Sequence, residues 1–322
     1  MKQDFTLYLA ATPTMYISKY YEDYGRRLSN EHQIDILSSQ FNEKQFIKDG
    51  ISNNWFKGKL MIDSGAFSAW NLGNKKGKDI HVDVDEYIEF INEYGDNFDV
   101  IVQVDAVTGK DGLDEGHNEK QIATWENFLY MRSKIRKDLW PKFIPVVHGG
   151  DTWDFLDLVL NYVDEDGKYL EYIALAGPQN VQANRNTNWW FEAFSRIEKS
   201  PNPNVKTHGL GMTTLDLLDQ LPLTSADSSS WNAFGRYGSI VTPFGTISIS
   251  DRKLNRPDNY NHLPEVKRNQ IDAYLKELGS SPEKCLESIM ERNYINILYY
   301  HNYAKRKRNT SIRKNVHRKK LF

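Results

Sequence analysis

The chain has 322 residues, 39% hydrophobic and 13% aromatic, which suffices for a sizeable core and argues against wholesale disorder. No run approaches the ~18 uninterrupted apolar residues of a membrane span, and the first residues, MKQDFTLYLAATPT, lack the basic segment and long apolar stretch of a secretory leader, so neither a membrane partner nor secretion is expected. The net charge of −2 hides an asymmetry: residues 305–322 hold nine Lys or Arg and no acid, leaving −11 over residues 1–304, the pattern of a basic arm for a polyanion.

In chain order, FTLYLAA (5–11) reads as a first strand, and the polar segment 30–55 as an insertion after it. LMID (60–63) reads as the second strand. Residues 83–94 place Val84, Tyr87, Ile88 and Ile91 at helical spacing behind Asp83, a good N-cap. FDVIVQVDA (98–106) is a strand, 118–137 a helix, FIPVVHGG (143–150) a strand, and 152–162 a helix with its own cap. YIALAGP (172–178), KTHGLGMT (206–213) and TSADSSSW (224–231) are three more apolar runs, separated by helices at 188–199 and 213–221. TISIS (246–250) reads as a last strand. Beyond it, Pro257 and Pro264 bracket a loop, and 265–278 and 282–303 read as two helices.

Strands buried on both faces read as continuous apolar runs, and alternation with helices implies a parallel sheet with crossover connections. Here run after run ends in Asp, His or Gly. A sheet edge supplied with chemistry in this way is the pattern of a (β/α)8 TIM barrel, whose site is built at the C-terminal ends of the strands. The expected organisation is an α/β barrel over 1–250, a helical extension over 251–304 and the basic tail over 305–322. Two strand-end aspartates, Asp63 and Asp227, suggest paired carboxylates, one a nucleophile and the other a proton carrier, as in retaining glycosyl transfer. Each alone also reads as a helix cap or turn residue. Cys285, the one cysteine, excludes an internal disulfide and any zinc site that needs two or more cysteines, and it fits a reducing compartment.

The ordered series Asp63-Ser64-Gly65-Ala66-Phe67, Val104-Asp105, Val147-His148-Gly149-Gly150, Ala176-Gly177, Gly209-Leu210-Gly211 and Asp227 continues into Gly235-Arg236-Tyr237-Gly238 and Gly245-Thr246-Ile247-Ser248-Ile249. Together these resemble the tRNA-guanine transglycosylase family over roughly 60–250. The resemblance implies that Asp227 attacks C1′ of the sugar and that Asp63 handles protons on the base. It implies further that Asp105 recognises the guanine edge, that Phe67 stacks on the base, and that the Gly177 segment turns an amide toward the base's carbonyl. Arg236 falls on a basic residue near the substrate backbone. Ser64, Gly149 and Gly209 fall in substrate-binding segments. His148 stands where the family has Gln, and His208 where a Met covers the base. The family's zinc site is not matched, since the region after the last motif offers Cys285 and His301 alone; no metal and no cofactor are expected.

A transglycosylase core without that zinc site, joined to a basic tail, is most like the branch that exchanges guanine for a 7-deazaguanine in DNA, found in phages and bacterial DNA-modification systems. The implied partners are DNA, or alternatively tRNA, and a guanine or 7-deazaguanine base, in the cytoplasm (that of the host if the chain is phage-encoded); a homodimer is compatible with the resemblance. The rivals are a tRNA transglycosylase without zinc and a catalytically silent nucleic-acid-binding barrel.

Overall fold

The computed structural model describes residues 5–107, 117–178, 183–212, 214–250 and 255–309. Strands β1 (Thr6–Leu9), β2 (Ile36–Ser39), β3 (Leu60–Asp63), β4 (Val100–Val102), β5 (Phe143–Ile144), β6 (Val146–His148), β7 (Tyr172–Ala176), β8 (Lys206–Gly209) and β9 (Ser225–Ser228) form one parallel sheet in the order β5-β4-β3-β2-β1-β9-β8-β7-β6. Its two ends are halves of one strand. Pro145 separates β5 from β6, and its missing N–H interrupts the ladder. β5 pairs with β4 and β6 with β7, while the Pro145 carbonyl accepts from Ala174 N at 2.8 Å. Counted so, eight strands close a ring, which is the (β/α)8 barrel expected from the strand-end pattern.

The helices are α1 (Ser18–Tyr20, one turn), α2 (Gln40–Ser52), α3 (Ala66–Lys76), α4 (Val84–Tyr94), α5 (His117–Lys134), α6 (Trp153–Asn161), α7 (Ala183–Lys199), α8 (Leu215–Gln220) and α9 (Ser230–Arg236), then α10 (Glu265–Glu277), α11 (Pro282–Glu287) and α12 (Ile289–Asn309). Asp83 and Thr152 cap α4 and α6 as their sequences predict, accepting from Glu86 N and Phe155 N. None of the described helices is long and apolar enough to cross a membrane.

Two apolar layers arise from the strand period of two. Tyr8, Met61, Val100, Val102, Ile144, Val146, Tyr172 and Ala174 fill the barrel interior, while Leu7, Leu9, Ile62, Ile101, Val147, Ile173, Leu175 and Ala226 pack outward against the helices. Asp63 is two residues on from inward Met61, and His148 two on from inward Val146. Both therefore face the barrel mouth.

Three expectations are corrected. Residues 30–55 are no insertion: they contain β2 and α2, the second β/α unit, whose four-residue strand ILSS is too short to show a period. LMID is accordingly the third strand. TISIS does not join the barrel; β11 (Gly245–Ser248) pairs antiparallel with β10 (Ser239–Thr242) in a separate hairpin. The helix read over 282–303 breaks at Ser288 into α11 and α12.

Polar anchors fix the C-terminal helices to this hairpin. Buried Asn296 accepts from Val241 N at 2.7 Å and donates to the Trp231 and Ser239 carbonyls at 3.0 and 3.2 Å. Arg292 donates to the Gly235, Cys285 and Leu286 carbonyls. Trp231 reaches back with its indole N–H to the Ala10 carbonyl at 2.8 Å, tying α9 to the end of β1. Asn296→Leu strands three buried backbone groups and is expected to lower stability by about 2–4 kcal/mol, read as a reduced urea midpoint at unchanged m-value.

The basic tail starts later than the charge run suggests. Residues 305–309 complete α12. Lys307 is buried, donates to the Leu218 carbonyl and lies 4.8 Å from the Phe5 ring centroid, and burial lowers its pKa. It is a structural clamp on the N-terminal side of the barrel. The rest of the tail lies outside the described residues.

Candidate active site

Aspartates occur at both ends of the barrel strands, and their partners distinguish them. At the N-terminal end, Asp35 accepts from Lys59 N and Asp99 from Leu60 N, both at 2.9 Å. These carboxylates, placed just before β2 and β4, pair the two amides at the start of β3 between them and are structural. At the opposite rim Asp63, Asp105 and Asp227 converge without a Lys or Arg to compensate them in any ion pair among the described residues.

Asp63 ends β3 in a tight turn. Its Oδ2 accepts from Gly65 N at 3.1 Å, and Ser64 Oγ accepts from Ala66 N at 3.2 Å, opening α3. Gly65 has φ +88°, and a Cβ there would lie 2.3 Å from Ser39 Oγ, so only glycine fits. Burial, then the negative charges of Asp105 and Asp227, push the Asp63 carboxyl up to about 7, against backbone amides that lower it. Three carboxylates are thus close enough to feel one another, and this one is poised to give or take a proton near neutrality.

Asp227, on β9, is 8% exposed. Gly211 N donates to its Oδ1 at 2.7 Å, and His208 Nε2 lies 3.2 Å from the same atom. Neither bond uses Oδ2. The Gly209-Leu210-Gly211 turn therefore serves the carboxylate through a backbone amide, with φ +61° at Gly211 aiming the chain. His208 is wholly buried, its ring 6.1 Å from that of Tyr8. It stands beside Asp227, with its side chain enclosed by the barrel.

Asp105 comes after β4, and its Oδ2 lies 2.8 Å from His148 Nε2. Asp151, three residues beyond His148, accepts from His148 N at 2.6 Å, and its Oδ2 lies 3.6 Å from His148 Nδ1. Burial alone would lower the His148 pKa, but the two flanking carboxylates overcome it and raise it to about 10. At neutral pH His148 is an imidazolium held between Asp105 and Asp151. The charge pattern at the base-recognition position is therefore a carboxylate–imidazolium pair, with the two imidazolium N–H groups turned toward Asp105 and Asp151.

The remaining predicted residues sit around this centre. Phe67 is 45% exposed on the first turn of α3 and stacks on Trp70, with centroids 5.8 Å apart. Ser64 is fully buried, its oxygen committed to the turn. Gly149 N donates to the Ala176 carbonyl at 2.7 Å, and a Cβ on Gly149 would meet Pro178 N at 2.3 Å, so two rim loops touch through bare backbone. A Cβ on Gly177 would meet the Trp190 indole at 2.6 Å, whereas at Gly209 the nearest atom, Leu223 Cδ1, is 3.0 Å away. Arg236 is exposed at the end of α9, beside Tyr237, which is 73% exposed.

Sequence reasoning missed Asp151, Ser225 and Tyr172. Ser225 was within reach, since it precedes Asp227 by two residues and must share its face of the strand. No group of three or more His, Cys, Asp or Glu among the described residues is placed to hold a metal ion. Cys285 is buried, and its thiol pKa is pushed up to about 12, mainly by burial. Compared with family models and with curated proteins, the chain matches none.

Proposed function

We propose that the chain is a base-exchange glycosyltransferase that removes guanine from DNA and inserts a 7-deazaguanine through a covalent Asp227–sugar intermediate. The observation that carries this reading is the convergence of Asp63 and Asp227 at the C-terminal rim, with Asp63 titrating near neutrality. Asp227 Oδ2 attacks C1′ as the C1′–N9 bond breaks; guanine leaves with that electron pair and takes the proton of Asp63. Asp63, now a carboxylate, removes the N9 proton of the incoming base, whose N9 attacks C1′ and expels Asp227 as a carboxylate. Two inversions give net retention. C1′ lies within the base stack, so the target nucleotide must be flipped out or single-stranded. A silent binding barrel has no use for three carboxylates facing a polyanion.

Asp105 reads the edge of the base and His148 positions it. The carboxylate accepts from N1–H and the 2-amino group, and the imidazolium, whose two N–H groups face Asp105 and Asp151, holds that carboxylate in place. Asp105→Ala removes the acceptor and, at once, one of the two carboxylates that hold a buried cation. It is expected to lower kcat/KM for exchange by about 100-fold or more, and Phe67→Leu, which thins one stacking surface, by less than about 10-fold. The reverse order in radiolabelled-guanine exchange contradicts this assignment.

The tail supplies a phosphate contact. Because Lys307 is part of the fold, the informative truncation removes 310–322 and leaves α12 whole. It takes away five of the nine basic residues. The expected result is weaker binding to all sequences alike and a salt slope of log K reduced by about 2–4 units on duplex DNA, with turnover on bound substrate unchanged. An unchanged slope marks a tail that touches no phosphate.

The reading as a whole is tested by radiolabelled-guanine exchange run side by side on duplex DNA, single-stranded DNA and tRNA. Incorporation into DNA supports it. Incorporation into tRNA alone moves the same chemistry to RNA, and no incorporation into any of them removes it.

A further inference from the structure

Three buried polar groups in the barrel have no part in the displacement scheme. Tyr172 on β7, His208 on β8 and Ser225 on β9 occupy the interior of neighbouring strands, and His208 and Ser225 are 0% and 1% exposed. Tyr172 Oη is 2.5 Å from Ser225 Oγ, Ser225 Oγ is 2.5 Å from His208 Nδ1, and His208 Nε2 is 3.2 Å from Asp227 Oδ1. The register accounts for the meeting. Ala174 pairs with His208 and His208 with Ser225, so the tyrosine at the foot of β7 reaches past β8 to β9. Apolar side chains would fill these positions without the desolvation that buried polar groups incur, and only end-to-end pairing offsets it.

The line has a direction. An ionised carboxylate only accepts, so Nε2 carries the hydrogen facing Asp227. Nδ1 of a neutral imidazole is then an acceptor for the Ser225 hydroxyl, and Ser225 Oγ accepts from Tyr172. Burial raises the Tyr172 pKa to about 12, which keeps its donor proton in place. We propose that His208 is a positioning residue for the nucleophile: locked by Ser225 and Tyr172, it acts with Gly211 N to hold Oδ1 of Asp227, so that Oδ2 is presented to the sugar. This rests on Asp227 being the nucleophile of the displacement.

Two alternatives for His208 separate cleanly. A base-covering side chain is served by Met, whereas a donor to Oδ1 is served by Gln, whose amide N–H reaches about as far as Nε2. Guanine exchange is measured for wild type, His208→Met, His208→Gln, Ser225→Ala and Tyr172→Phe, with KM for DNA and the melting temperature of each. The expected result is a fall in kcat of about 100-fold for His208→Met, recovery to within about 10-fold of wild type for His208→Gln, and falls of about 3- to 10-fold for Ser225→Ala and Tyr172→Phe. KM for DNA stays within about twofold throughout, because none of these side chains touches substrate. Wild-type kcat in His208→Met overturns the proposal, as does a folded His208→Gln no faster than His208→Met. If the His208 variants do not fold, an unchanged kcat in Ser225→Ala overturns it. A wild-type enzyme that exchanges no base at all instead removes the displacement scheme, and with it the role of His208.

Discussion

Asp227→Asn is expected to abolish base exchange, by a factor on the order of 10⁴ or more, while leaving DNA affinity within about twofold of wild type. The asymmetry comes from the way the carboxylate is held. Both of its hydrogen bonds, from Gly211 N and from His208 Nε2, end on Oδ1. An Asn side chain can keep its carbonyl oxygen there and retain them. What it loses is the second oxygen as a nucleophile. The protein should therefore fold, bind DNA and fail to form an adduct. Rates and affinities measured on one oligonucleotide check this, and exchange by Asp227→Asn at the wild-type rate rules out the covalent mechanism.

Asp63→Asn is expected to lower exchange by about 10²- to 10⁴-fold and, at the same time, to make the protein more stable at alkaline pH. The carboxyl has its pKa raised in the fold from 3.8 to about 7. The native state thus holds this proton more tightly than the unfolded chain does, and the group weakens the fold increasingly as pH rises from about 4 through about 7. An amide has no charge to bury. The variant should melt about 2–5 °C above wild type at pH 8, and the difference should vanish near pH 4. In wild type, formation of the adduct needs protonated Asp63, so its single-turnover rate should fall as pH rises through an apparent pKa near 7. A variant less stable than wild type at pH 8 contradicts the burial of a reluctant charge at this position.

Much of the barrel was legible because its strands are buried on both faces. LMID, VIV and YIALA are nearly continuous apolar runs, and each gives way at its C-terminal end to polar or glycine-containing segments. β2 escaped notice because ILSS carries two serines in four residues and sits in a polar segment, where only its pairing with β1 and β3 reveals it. TISIS misled for the opposite reason: it alternates like a strand and is one, but its partner is the neighbouring hairpin strand, and sequence periodicity does not name partners. The strand-end aspartates were visible one by one. Their mutual charge effect on Asp63, and the commitment of His208 to Asp227 and of His148 to Asp105, depend on which strands are neighbours around the ring. The same limit hid Lys307, whose place in a run of basic residues gave no sign that the side chain folds back onto the Leu218 carbonyl.

The most direct test of the central claim is to trap the intermediate. Wild-type protein is incubated with a guanine-containing oligonucleotide, quenched in denaturant, and digested for mass spectrometry of the cross-linked peptide. Double displacement requires a denaturation-resistant protein–DNA adduct whose mass equals protein plus oligonucleotide less one guanine, mapped to Asp227 and chased away by added guanine. An adduct on Asp63 or Asp105, or base exchange that proceeds with no adduct in wild type, contradicts it.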